Sequence, residues 1–277
     1  MKKSILLPTD FTELAYHAAD YAINLAKQIN ISEIIIYHAW QAPVTIDAGY
    51  SNANLMNGEE LREISDENLN SFAEKIQKIA GDSIQIIKEI EYSPVASGVE
   101  DICEKHDVAY VVMSVSGSGK FVEKVIGSNA VTTAKNSTIP VIIVPANYHF
   151  QPIKNIALSC DYKEIKSTIP ITPIKTILNE TTAKLFVVNV DVTRELSDQD
   201  LEDANKMLHE SFESTDPEFH ILEEDNFVDA INNFSKENDI DLIIAVPKKK
   251  GFFETLFKGS RTTELAFNSK TPILVVH

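Results

Sequence analysis

Short runs of consecutive apolar residues alternate along this chain with longer stretches whose apolar positions recur at helical spacing. Ser4–Pro8 is an apolar run that reads as a strand. Phe11–Asn30 then carries Leu14, Ala18, Tyr21, Ala22, Leu25 and Ile29 on one helical face. Ile34–His38 reads as a second strand, and residues 40–58, with Pro43, Gly49, Asn52, Asn54 and Gly58, read as a long loop. The pattern next predicts a helix over Glu59–Ile79, a strand over Ser83–Ile90, a helix over Val95–Lys105 and a strand over Ala109–Val115. A helix over Ser128–Lys135 and a last strand over Val141–Val144 follow. Strands written as continuous Val/Ile runs between helices belong to a parallel sheet covered on both faces.

The same order recurs after the midpoint. Ser4-Ile5-Leu6-Leu7-Pro8-Thr9-Asp10-Phe11 is echoed by Asn155-Ile156-Ala157-Leu158-Ser159-Cys160-Asp161-Tyr162. Val125-Ile126-Gly127-Ser128 is echoed by Phe257-Lys258-Gly259-Ser260, and Ile139-Pro140-Val141-Ile142 by Thr271-Pro272-Ile273-Leu274. Two divergent copies of one domain explain these matches, with boundaries at 1–146 and 152–277 and a short, stiff linker at Ala146–Pro152. The expected fold is α/β: two copies of an open five-stranded parallel sheet with helices on both faces. Pro170 and Pro173 are expected to delay the first helix of the second copy.

Only 9 of 277 residues are glycine, about half the usual ~7%. Gly117, Gly119 and Gly127 cluster in the first copy, and Gly251 and Gly259 in the second. A Walker A loop is excluded, because Ser114 and Phe121 stand where it needs Gly and Ser/Thr. A dinucleotide fingerprint is excluded too, because the third glycine is missing after Gly117-Ser118-Gly119. A third arrangement remains, in which Gly117 and Gly119 let the backbone approach an anion and Gly127-Ser128-Asn129 opens a helix onto phosphate. The plain alternative is a turn followed by a Ser N-cap. Ligands of open α/β sheets lie beyond the carboxyl ends of the strands, where strand order reverses. Pro8-Thr9-Asp10 and Met113-Ser114 fall at such ends. A carboxylate repels phosphate, so Asp10 suits the base or sugar, unless it serves only to cap the following helix together with Thr12.

With these residues in place the chain resembles the universal stress protein family. The resemblance is carried by Ile5-Leu6-Leu7-Pro8-Thr9-Asp10-Phe11-Thr12, by the strand end His38-Ala39, and by Met113-Ser114-x2-Gly117-x9-Gly127-Ser128 followed by Ile139-Pro140-Val141-Ile142-Ile143-Val144-Pro145. It extends through the repeat to nearly the whole chain, as in a tandem member with an adenine nucleotide alpha hydrolase-like fold. The resemblance implies that Pro8, Thr9 and Asp10 border adenine and ribose, with Ala39 on the pocket wall. It implies that Met113 and Ser114 line the nucleotide, and that Gly117, Gly127, Ser128 and Asn129 hold the phosphates of ATP, with or without Mg2+. Ser114 departs from the ATP-binding motif, which has glycine there. The second copy keeps Asp161 and Gly259-Ser260, but Val246-Pro247-Lys248-Lys249-Lys250-Gly251 lacks the glycine pair, so one working site is expected. The family's habit of dimerising through the last strand implies an intramolecular pseudo-dimer of the two copies, and a homodimer beyond it stays open. The expected role is stress response or signalling through a bound adenine nucleotide; a nucleotide-free interaction module and a slow ATPase are the alternatives.

Charge and composition narrow the partners. Lys and Arg number 25 against 41 Asp and Glu, a net charge of −16 divided equally between the copies, which speaks against nucleic acid and anionic lipid. Two cysteines, Cys103 and Cys160, suit a reducing compartment. The apolar run near Met1 is too short for a signal peptide and no stretch is long enough for a membrane helix, so a cytoplasmic protein is expected. The seven histidines are scattered without zinc spacing, and no Gly-x-Ser-x-Gly elbow is present. No residue stands out as a general base, which leaves at most weak ATP hydrolysis.

Overall fold

The computed structural model describes residues 2–41, 58–115, 128–162, 169–192, 196–247 and 261–277. The first half runs β1 (Ser4–Pro8), α1 (Glu13–Gln28), β2 (Glu33–Trp40), α2 (Gly58–Ala80), β3 (Gln85–Tyr92), α3 (Val95–Lys105), β4 (Val108–Val115), α4 (Ser128–Asn136) and β5 (Val141–Pro145). The second runs β6 (Asn155–Ser159), α5 (Ile171–Thr181), β7 (Lys184–Val190), α6 (Asp198–Phe212), β8 (Glu218–Leu222), α7 (Phe227–Glu237), β9 (Leu242–Ala245), α8 (Arg261–Asn268) and β10 (Ile273–Val275). Several boundaries differ from the periodicity by one or two residues, β2 running on to Trp40, and two of the differences have a local cause. Helix α1 starts at Glu13 because Phe11 is left-handed at φ 64° and Thr12 is the N-cap, its hydroxyl accepting from the Ala15 amide at 3.4 Å. Strand β3 lies two residues later than expected, since Ser83 and Ile84 still belong to the turn. Pro170 takes the N-cap of α5 and Pro173 its first turn, where a missing N–H breaks no helical hydrogen bond.

All ten strands join one sheet in the order β3-β2-β1-β4-β5-β10-β9-β6-β7-β8. Within each half every pairing is parallel, as the α-helical crossovers require. The halves meet in an antiparallel pairing, the one such pairing among the described residues, of β5 against β10, with Ile143 opposite Ile273, Ile142 opposite Leu274 and Val141 opposite Val275. Each half would otherwise leave a Val/Ile-rich last strand as an open edge, and the pairing closes both at once.

Successive residues of a strand point to opposite faces, and each face is covered. Ile5 and Leu7 pack with α1 and α2, in an apolar core that continues across the seam to α5 and α6. Leu6 packs on the other face with α3 and α4, in a core that continues to α7 and α8. The linker is pinned on both sides. Gln28 of α1 donates to the Ile153 carbonyl at 2.8 Å and accepts from its amide at 2.9 Å. The Tyr148 hydroxyl donates to the Asp241 carbonyl at 3.3 Å, while the Asp241 carboxylate accepts from the amides of Lys154 and Asn155 at 2.8 and 3.0 Å.

Candidate functional site

Strand order reverses between β1 and β4, whose carboxyl ends carry Pro8, Thr9, Asp10, Met113 and Ser114 of the residues singled out from the sequence. Pro8 closes β1 and is buried; Thr9 is buried just beyond it, and Asp10 is exposed. Thr9 extends the ladder by donating its amide to the Tyr37 carbonyl at 2.8 Å, and its hydroxyl accepts from the Phe11 amide at 3.0 Å. That second bond holds the turn that places Phe11 in the left-handed region. The Phe11 ring lies against His38, with centroids 4.4 Å apart, and edge-on to Phe72 at 5.9 Å. His38 therefore has a structural role: its Nδ1–H donates to the Thr9 carbonyl at 2.8 Å, because a carbonyl can only accept.

Asp10 does more than one job with one oxygen. Its Oδ1 accepts from the Thr12 amide at 3.1 Å and from the Thr12 hydroxyl at 2.6 Å. Thr12 is the N-cap, so Asp10 braces the cap and is not itself the cap. Among the described residues its Oδ2 accepts no hydrogen bond, which leaves an exposed carboxylate oxygen at the switch point.

Ala39 and Trp40 end β2, with Ala39 half-buried on the α3/α4 face. Trp40 does not enter the core; it packs edge-on to Tyr92 at 4.9 Å, and Tyr92 is 63% exposed. Met113 is buried near the end of β4 on the α3/α4 face. Ser114 is half-buried, and its hydroxyl donates to the Val144 carbonyl of β5 at 2.9 Å, so its proton is committed to the neighbouring strand. Gly117 and Gly127 lie outside the described residues, as do Gly119 and the residues 42–57 that follow β2. Ser128 is the first residue of α4, and Asn129 is exposed in its first turn. That first turn has no acidic residue. Its N–H groups precede any intrahelical acceptor and present the positive end of the helix dipole to the same edge as Asp10.

One nearby contact escaped the periodicity. Gly98 of α3 packs against Tyr37, where a Cβ would fall 1.7 Å from the phenolic oxygen and 2.4 Å from the Ser93 hydroxyl. Tyr37 and Ser93 share a 2.9 Å hydrogen bond, and burial raises the Tyr37 phenol, with that bond opposing in part. A glycine inside a helical pattern was the available signal.

The second half repeats the frame and changes the chemistry. The Cys160 amide donates to the Val188 carbonyl at 3.1 Å, as Thr9 does to Tyr37, and Asn189 donates to the Cys160 carbonyl at 3.0 Å in the place of His38. Burial, and then Asp161, push the Cys160 thiol well above its ordinary range. Strand β9 leads into Val246 and Pro247, and α8 has Glu264 in its first turn. Lys248–Lys250, Gly251, Gly259 and Ser260 lie outside the described residues. Among the described residues no group of His, Cys, Asp and Glu could hold a metal ion, and no helix is long and apolar enough to cross a membrane.

Comparison with known proteins adds lineage to this geometry. The model of the universal stress protein family matches residues 1–145 and 171–277. A universal stress protein of Methanocaldococcus jannaschii is 28% identical over 143 residues, which is 51% of this chain and 81% of that protein. Among solved structures, a universal stress protein from Archaeoglobus fulgidus aligns over 99% of this chain and 95% of its own, with TM-score 0.70 and 19% identity. A functionally unknown protein from Pseudomonas aeruginosa aligns over 99% and 92%, with TM-score 0.55 and 13% identity. At these identities the two structures speak to the fold, which both share over nearly their full length.

Proposed function

This chain belongs to the universal stress protein family, and on that premise we propose that it is a stress-response protein binding ATP, or another adenine nucleotide, in its first half only. The observation that carries the reading is the difference between the two carboxyl edges. In the first half the open Oδ2 of Asp10 stands at the switch point together with the acid-free first turn of α4. In the second half a proline follows β9, and Glu264 sits in the first turn of α8, where it opposes a phosphate.

The donor set fits the ligand. Pro8, Thr9, Asp10 and Ala39 border the base and ribose, and the Asp10 carboxylate accepts from an amino or hydroxyl group. Met113 and Ser114 line the nucleotide. Gly117, Gly127, Ser128 and Asn129 hold the phosphates, which bring the negative charge that the start of α4 favours. Residues 1–146 form the binding domain, and residues 152–277 form its built-in pseudo-dimer partner. The two free thiols, Cys103 and Cys160, suit a reducing cytoplasm.

Calorimetric titration of ligand-stripped protein with ATP and AMP tests the reading. Saturable binding that is lost in Asp10→Ala supports it. Absence of heat at millimolar nucleotide overturns it in favour of a nucleotide-free interaction module.

A further inference from the structure

The second half reaches directly into the element that faces phosphate in the first. Beyond β10, His277 Nε2 lies 2.7 Å from the carbonyl of Ala134 in the last turn of α4. A carbonyl only accepts, so Nε2 carries the proton and donates. The last carbonyls of a helix have no intrahelical donor, and an imidazole N–H there both satisfies one and favours the negative end of the dipole. Ala130 and Ala134 of α4 are buried in the same apolar core as Leu265 and Ala266 of α8, which fixes the helix laterally. His277 fixes it along its axis.

This clamp runs one way. The repeat aligns Val141–Pro145 with residues 273–277, so the position of His277 in the first half is Pro145, whose side chain has no donor. Among the described residues the first half offers α8 no equivalent cap, and the end of α8 is closed within the second half: the Ser269 amide donates to the Leu265 carbonyl at 2.7 Å, and Asn232 of α7 donates to the Asn268 carbonyl at 3.1 Å. Of α4 and α8, the helix that receives the cross-seam cap is the one with no acidic residue in its first turn.

We propose that His277, a residue of the second half, is a positioning residue for the phosphate end of the first-half site, acting through α4. The inference rests on the nucleotide reading above and adds a task for the second half: it sets the axial position and order of the phosphate-facing helix. Phosphate contacts feel that order, whereas base and ribose contacts at Asp10 and Ala39, on separate strand ends, do not.

The test uses the full chain as wild type, His277→Ala and His277→Gln, with ATP and adenosine as probes. Calorimetry is paired with hydrogen–deuterium exchange over 130–137. Expected are faster exchange in α4 and roughly three- to tenfold weaker ATP binding in His277→Ala, the range set by loss of one hydrogen bond. Adenosine affinity stays unchanged, and His277→Gln, which keeps a donor, recovers both readouts. Unchanged exchange in α4, equal weakening of ATP and adenosine, or ATP affinity equal to wild type each overturns the proposal. A wild-type chain that binds no ATP overturns the nucleotide reading and this inference with it. That outcome is read on the wild type alone and so is distinct from a failure at His277.

Discussion

The Tyr110 hydroxyl in β4 donates to the Glu180 carboxylate in α5 at 2.7 Å, a bond between the two halves at the amino edge of the sheet. Lys3 reaches the other oxygen of the same carboxylate at 3.0 Å. Tyr110 is 2% exposed, and burial, followed by the bond to Glu180, pushes its phenol far above the ordinary range, so it donates at any physiological pH. Tyr110→Phe keeps the ring and strips one oxygen of a half-buried carboxylate of its donor, while Lys3 stays on the other. The expected loss is about 1–3 kcal/mol in urea unfolding. A double-mutant cycle with Glu180→Gln should return a coupling; additive losses would show that the two side chains do not interact.

Gly98→Ala tests close packing at the edge of the candidate site. The added Cβ meets the Tyr37 oxygen at 1.7 Å, and Tyr37 is fully buried. Either α3 or the phenol must shift, with a loss of about 1–3 kcal/mol despite alanine's better helix propensity. An unchanged or raised melting temperature would mean that the contact yields freely.

Asp10 offers a separation of structure from binding. Thr12 retains the cap in Asp10→Ala, so the stability loss should stay below about 1 kcal/mol. Nucleotide affinity should fall about tenfold or more, as when a charged hydrogen-bonding partner is lost. Asp10→Asn, which keeps an acceptor for Thr12, should retain stability more fully. A large stability loss with unchanged affinity would assign Asp10 to the fold alone.

The thiols should be quiet in the native protein. Burial, and then Glu100, push the Cys103 thiol up to about 12, and Cys160 is pushed up further. A raised thiol pKa depletes the reactive thiolate at neutral pH, and the effect disappears when the chain unfolds. Ellman's reagent at pH 7.5 should label neither thiol within the time that both react in denaturant. Prompt labelling of the native chain would refute the shielding of these half-buried thiols.

Much of the fold was legible because the strands are buried on both faces and announce themselves as unbroken runs such as Ile34-Ile35-Ile36. The repeat, with its second proline-led strand at Pro272-Ile273-Leu274, pointed to the seam. What periodicity cannot carry is contact between distant polar atoms. His277 and Ala134 are 143 residues apart, and nothing in either neighbourhood marks the other. The direction of the Ser114 hydroxyl depends on which carbonyl of β5 lies opposite, a matter of register. Phe11 sits in the left-handed region because the Thr9 hydroxyl holds its amide, whereas aromatic residues alone would extend the helix pattern through it. The candidate site was legible in its strand-end residues, where a small motif meets a strand end. It was not legible in the asymmetry of the helix starts, because Glu264 reads as one more charge on a solvated face until α8 is placed beside α4.

One working site per chain, in the first half, is the central claim, and native mass spectrometry of the ligand-stripped full chain with ATP counts it directly. The prediction is a single ATP adduct that saturates at one per chain and is absent in Asp10→Ala. Saturation at two adducts, or a first adduct that survives Asp10→Ala, would contradict it.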